Sequence, residues 1–333
     1  MDIVRQPINF GKLELHNRIV MPPIATYQNT EDGYVTQKML DYYGERAKGG
    51  NISMIITEHS YITLQGKAKA KQLSIADDAC IDGLKKLTDA IHQNGTKAMA
   101  QINHAGSAAP SAVNGGRVVS ASGVILPTKP VMGDGTVPEE LTREQIAEIV
   151  YMFGQAARRA KEAGYDAVEI HSAHAYLLNQ FYSPLTNKRT DEYGGSLENR
   201  LRVHREVIRE VRKQVGRDFP ISVRLGGCDY CAGGSTIEDS VFACKVFENE
   251  SVDMVDISGG MCRYTHPTSN KAGYFSDMSE EIKKSVGVPV MLTGGVQTAA
   301  QAEKLLENNS ADLIGIGREL LKNPHWADEQ LNV

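Results

Sequence analysis

The chain is short of several things that would assign it quickly. It has one tryptophan, and aromatics make up 6% of its 333 residues. Its five cysteines, Cys80, Cys228, Cys231, Cys244 and Cys262, are odd in number and widely scattered, which suits reduced thiols better than a disulfide framework. Cys228 and Cys231 form a CxxC, but it lies among glycines in "GGCDYCAGG" with no second CxxC, so neither a thioredoxin-like nor a zinc-ribbon motif is complete. No apolar run nears the ~18 residues of a membrane span, and "MDIVRQPINFGKLEL" lacks the basic and apolar regions of a signal peptide. A cytoplasmic location is the expectation. Neither charge sign dominates: a net charge of -5, with acids and bases interspersed, leaves no footprint for nucleic acid or an anionic membrane. The dinucleotide fingerprint GxGxxG is also missing, since "VMPPIATYQN" follows the first apolar run without a glycine.

What is present is repetition. Short Val- and Ile-rich runs recur at 18–23, 52–58, 97–102, 167–171, 221–225, 254–258, 289–294 and 313–317. Amphipathic segments lie between them, among them 142–164, 196–216 and 236–250. Thr142 with Gln145 three residues on has capping-box spacing, and Gly164 closes that helix. Eight βα repeats predict an α/β fold, a single (β/α)8 TIM barrel with extended loops after strands three and four, residues 1–333 forming one domain. Those two connections, 103–141 and 172–196, are long enough to be binding loops or lids on the carboxyl-terminal face, where barrel enzymes place their chemistry.

Strand ends on that face supply the candidate residues. Glycines at 294, 295 and 317 with Arg318, each leading into a helix, suit a phosphate. Gln101 and Arg224 end buried strands and together suit a heterocycle with a carbonyl-imide edge that gains negative charge, such as a flavin pyrimidine. His171 and His174 converge if the chain turns helically there, and two neutral imidazoles could polarise one carbonyl oxygen, with Tyr176 as proton donor. A histidine pair also suits zinc or iron. That alternative needs a carboxylate alongside, and Glu169 is expected on the opposite strand face from His171.

The stretch "HSAHAYLLNQFYSPLTNKRTDEYGGSLENR", with "NRIVMPPIATY", "AQINHAG", "SVRLGG", "VDISGG" and "IGIGRELLKNP", closely resembles the old yellow enzyme family of FMN-dependent ene-reductases, bacterial type. The resemblance extends over nearly the whole chain. It implies FMN at the barrel mouth: Pro22, Pro23 and Ala25 along one edge, His59 near the ring, Gln101 and Arg224 on the pyrimidine, and Gly259, Gly294, Gly295, Gly317 and Arg318 among the cofactor contacts. It further implies His171 and His174 on the substrate carbonyl, Tyr176 as catalytic proton donor and Tyr27 against the substrate. The implied reaction is ping-pong hydride transfer, from NADPH or NADH to flavin N5 and then to the C=C bond of an α,β-unsaturated carbonyl or nitro compound. Three departures stand out. Ala25 occupies a position usually held by Thr or Cys, His59 replaces a small residue, and no arginine follows "LLKNPHWADEQLNV" for sharing between subunits of a homo-oligomer. A non-catalytic flavin-binding sensor or scaffold, and a metal-dependent barrel hydrolase or lyase, are the competing functions.

Overall fold

In the computed structural model, which describes residues 2–128 and 132–331, the eight apolar runs become one closed barrel of parallel strands. Residues 129–131 of the long connection after the third run, and Asn332 and Val333 at the end of the sequence, lie outside the described residues. The strands are β1 (Ile19–Met21), β2 (Met54–Tyr61), β3 (Lys97–Asn103), β4 (Ala167–Ser172), β5 (Ile221–Cys228), β6 (Met254–Gly259), β7 (Val290–Thr293) and β8 (Leu313–Gly315). Each pairs in parallel with its sequence neighbour, and β8 closes on β1.

Alternation along the strands divides their side chains between two surroundings. Val20, Met54, Ile56, Met99, Ala167, Met254, Met291 and Leu313 meet inside the barrel. A hairpin of Ile8–Phe10 and Leu13–Leu15, turned at Gly11, plugs that interior with Phe10 and Leu15. The plug closes the amino-terminal end with hydrocarbon. Chemistry is left to the other end.

The intervening residues Ile55, Ala98, Val168, Ile170, Val223, Ile257 and Leu292 face the surrounding helices in the larger core. The helices are α1 (Gln37–Ala47), α2 (Ile81–His92), α3 (Arg143–Glu162), α4 (Leu177–Tyr182), α5 (Leu197–Arg200), α6 (Arg202–Val215), α7 (Ile237–Asn249), α8 (Ser276–Lys283), α9 (Ala299–Glu307), α10 (Arg318–Lys322) and α11 (Trp326–Leu331). The capping box of α3 is formed as expected, Thr142 accepting from the Gln145 backbone and Gln145 bonding back. In α6, Val203, Val207, Ile208, Val211 and Val215 recur at helical spacing and are buried. The single helix expected over 196–216 is instead broken at Leu201, which caps α5 and precedes α6.

The connection 172–196 differs more from expectation. It contains the short buried helix α4, and its polar residues act as braces. Asn187 Nδ2 donates to Phe181 O and Tyr193 O, and Arg189 donates to Ala121 O and Leu141 O, tying this loop to the one after β3. Buried backbone carbonyls need such partners, which explains a polar run beneath a barrel mouth.

Candidate functional site

Four rings gather at the carboxyl-terminal mouth. The His171 ring centroid is 5.1 Å from that of His174, 5.2 Å from Tyr176 and 6.4 Å from His59, and His59 is 5.4 Å from Tyr176. The pair of histidines converges, though not by a helical turn. His174 and Ala175 both adopt left-handed backbone, with φ of 60° and 62°, a conformation costly for side-chain-bearing residues and concentrated at functional sites. Asn179 Oδ1 accepts from Ala175 N, Asn179 Nδ2 donates to Gly226 O, and Gln180 Nε2 donates to Ala175 O. His174 N also donates to Gly259 O, and Ser258 Oγ lies 2.7 Å from His174 Nε2. These bonds over-determine the strained turn. The histidine is thereby fixed.

His59 reaches the mouth through an irregularity in β2. The register against β3 shifts between Thr57 and Ser60, so Glu58 and His59 break the simple alternation. Glu58 turns to the loop after β1, accepting from Thr26 N and Asn29 Nδ2 at 2.6 Å each. That anchors the segment carrying Pro22, Pro23, Ala25 and Tyr27; Pro22 is buried, while Tyr27 is 40% exposed with left-handed backbone at φ 53°.

Beneath the rings lies a buried polar layer. Gln101 Nε2 donates to Glu169 Oε1 at 2.8 Å and stands 3.4 Å from His171 Nδ1; Ser222 Oγ donates to Glu169 Oε2 at 3.3 Å. The expectation that Glu169 faces away from His171 is therefore wrong. Residues two apart on a strand share a face, and both point into the barrel. Arg224 Nε is 3.2 Å from Asp256 Oδ2 across β5 and β6. Burial, reinforced by Asp256, pushes the Glu169 carboxyl up to about 8, and burial against the counter-effect of Arg224 raises Asp256 to about 6. Burial thus favours the protonated form of Glu169, while Arg224 stands paired with Asp256.

The imidazoles are neutral. Burial holds the His171 pKa well below the ordinary histidine value, helped by His174, Arg224 and His59; burial then Arg224, Arg263 and His59 do the same for His174. His59 is lowered to about 4 by burial, Arg224 and Lys69. Burial, followed by the neighbouring phenol of Tyr27, raises Tyr176. It stays a phenol, able to give a proton rather than take one.

The sequence-chosen cofactor residues are brought to the same end. Arg224 Nε, both Asp256 carboxylate oxygens and Thr293 Oγ1 are buried without a hydrogen-bond partner among the described residues. A Cβ on Gly294 would stand 2.7 Å from the Tyr274 ring, and one on Gly295, at φ 70°, would stand 2.8 Å from Lys271 O. Gly259 is equally closed, since a Cβ there would stand 2.2 Å from Arg263 O, whereas one on Gly317 would make only ordinary contacts, with Pro22 at 3.5 Å. Arg318 is exposed at the start of α10 and near enough to Tyr274 to act on its phenol. Polar atoms of the Arg224–Asp256 pair left without hydrogen bonds, and glycines beside an exposed guanidinium, fit a planar heterocycle carrying a phosphate. Among the described residues no three His, Cys, Asp or Glu side chains are grouped to hold a metal ion.

Sequence reasoning missed several residues here. Glu169 and Asp256 were legible from strand parity. Gln72, Asn103, Arg263 and Tyr264 approach the mouth from loops or a neighbouring strand: Gln72 and Asn103 through His59 Nδ1, and Tyr264 with its ring 6.0 Å from His174.

Comparison with known proteins places the chain. The NADH:flavin oxidoreductase / NADH oxidase family matches residues 4–331. An NADH oxidase of Thermoanaerobacter brockii is 40% identical over 322 residues, 95% of this chain but 48% of that protein, so this chain spans about half of that relative. An NADPH dehydrogenase of Halalkalibacterium halodurans is 38% identical over 317 residues, covering 95% of this chain and 90% of the relative. The old yellow enzyme homologue from Zymomonas mobilis superposes with a TM-score of 0.84 at 29% identity, over 96% of this chain and 90% of that one. With the barrel, the mouth and the polar layer in place, this chain belongs to the NADH:flavin oxidoreductase / NADH oxidase family, that of the old yellow enzymes, whose cofactor is FMN and whose reductant is NADH or NADPH.

Proposed function

We propose that residues 1–333 form one FMN-binding barrel domain that uses NADPH or NADH to reduce the C=C bond of α,β-unsaturated carbonyl compounds, and of nitro compounds. The observation that carries this reading is the convergence of two neutral imidazoles and one un-ionised phenol at the mouth.

Pro22, Pro23, Ala25, His59, Gln101, Arg224 and the glycines at 259, 294, 295 and 317 with Arg318 would hold FMN. Bound FMN would supply a two-electron carrier between the nicotinamide and the alkene. His171 and His174 bind the carbonyl oxygen as N–H donors. As hydride arrives, that oxygen gains enolate charge, and donors fixed in place stabilise it more than the neutral carbonyl. Neutral donors avoid the cost of extra buried cations next to Arg224. Tyr176 delivers the proton to the α-carbon, and Tyr27 lies against the substrate.

Ala25 gives the loop no side-chain donor, so only the backbone can bond a ligand there. The test is oxidation of NADPH and NADH by the purified yellow protein with cyclohexenone, a nitroalkene or maleimide. Full FMN content with no turnover on any of them would favour a non-catalytic flavin protein.

A further inference from the structure

The structure fixes the proton position of His59 through side chains that lie outside the mouth. Its Nδ1 lies 2.9 Å from Gln72 Nε2 and 3.3 Å from Asn103 Nδ2. The orientation of the Gln72 amide is set by both of its ends. Ala68 N can only donate, and it bonds Gln72 Oε1 at 2.6 Å; His59 O can only accept, and Gln72 Nε2 donates to it at 3.0 Å. Gln72 is 1% exposed, so no water competes for the arrangement. Nδ1 must then be an acceptor and the ring proton sits on Nε2, which has no hydrogen-bond partner among the described residues.

We propose that Gln72 locks His59 as its Nε2–H tautomer, a third neutral donor facing the mouth, and that the site takes alkenes activated by a group with two acceptor oxygens, one for His171 and His174 and one for His59. This rests on the alkene-reduction reading above. The arrangement supports it: the His59 ring stands 6.4 Å from that of His171 and 5.4 Å from that of Tyr176, so a ligand on the histidine pair lies within reach of both sides. Its lowered pKa keeps the ring neutral, so a third donor adds no cation. A nitro group, an imide or a β-dicarbonyl has the required pair of oxygens, whereas a simple enone has one. In this scheme His59 touches the ligand and Gln72 is a positioning residue.

Histidine-labelled protein examined by long-range nitrogen–proton correlation reads the tautomer without any turnover, with the His59 signal assigned by its loss in His59→Gln. The expected pattern is an unprotonated Nδ1 and a protonated Nε2. In Gln72→Glu the carboxylate accepts from Nδ1 and the pattern inverts. A protonated Nδ1 in the parent overturns the lock.

The second arm is the ratio of kcat/KM for a nitroalkene or maleimide to that for cyclohexenone. The ratio should fall about threefold to tenfold in His59→Phe and in Gln72→Glu, the worth of one hydrogen bond, and recover in His59→Gln, whose amide N–H reaches the same point. An unchanged ratio in His59→Phe overturns the substrate class. A parent that reduces none of these alkenes overturns the function proposed above and leaves the spectroscopic result standing.

Discussion

Replacing Gly226 by alanine tests whether the strained turn after β4 sets the mouth. A Cβ there would stand 2.7 Å from Gly259 O, 2.8 Å from Gly260 Cα and 2.9 Å from Ala173 Cα, all of them backbone atoms. No flexible side chain can move aside, so β4 and β6 must separate at their mouth ends by roughly half an ångström. Two bonds cross that gap and hold His174, from His174 N to Gly259 O and between His174 Nε2 and Ser258 Oγ. Overpacking of this kind costs about 1–3 kcal/mol. If a displacement of about 1 Å costs on the order of 10²-fold in rate, half of that costs about tenfold. The assay is kcat/KM for enone reduction, normalised to bound FMN, alongside thermal unfolding of the same preparation. Gly226→Ala should lose about tenfold in kcat/KM and a few degrees of melting temperature. A variant as fast and as stable as the parent would refute the claim that this close approach positions His174.

Tyr176→Phe should slow flavin reoxidation by enone in stopped-flow measurements, while reduction by the nicotinamide stays near the parental rate; equal slowing of both would remove its role as proton donor. His171→Ala and His174→Ala should each cost on the order of 10²-fold in enone kcat/KM. Gly294→Ala should weaken FMN binding measured by flavin fluorescence, because the new methyl meets the Tyr274 ring 2.7 Å away and must push it against the cradle. Stability should fall as pH drops from about 6.5 towards 4. His59, His104, His171, His174 and His204 all have folded pKa values below the unfolded one, so the unfolded chain binds more protons in that window. Glu58, Glu169, Glu206 and Asp256 are shifted upward and lose stability as pH rises, the opposite sign, but they are fewer than the five histidines. A flat or rising urea midpoint on acidification would contradict this.

The strands were legible because buried parallel strands are short unbroken apolar runs, and all eight lie within a few residues of their expected ends. The plug hairpin was not, since three-residue strands around Gly11 and Lys12 give too little pattern to read. Helix α4 was hidden for a related reason: "LLNQFY" is buried on all sides, so it carries no amphipathic period. In the site, His171, His174, Tyr176, Gln101 and Arg224 were readable from their places at strand ends. The left-handed turn at His174 was not, because no glycine or asparagine marks it; the conformation is imposed by Asn179, Gln180 and Gly259. Glu169 was readable but misread, since strand parity places it with His171. The partnership of His59 with Gln72 joins two segments through side chains alone, and periodicity carries no trace of such a contact.

The most direct test of the central claim is an anaerobic titration of the yellow protein followed by visible absorption. Addition of NADPH or NADH should bleach the flavin band, and a stoichiometric alkene should restore it in the parent but far more slowly in His171→Ala and His174→Ala. If the alkene restores the band equally fast in all three, the imidazole pair does not hold the substrate and the account fails.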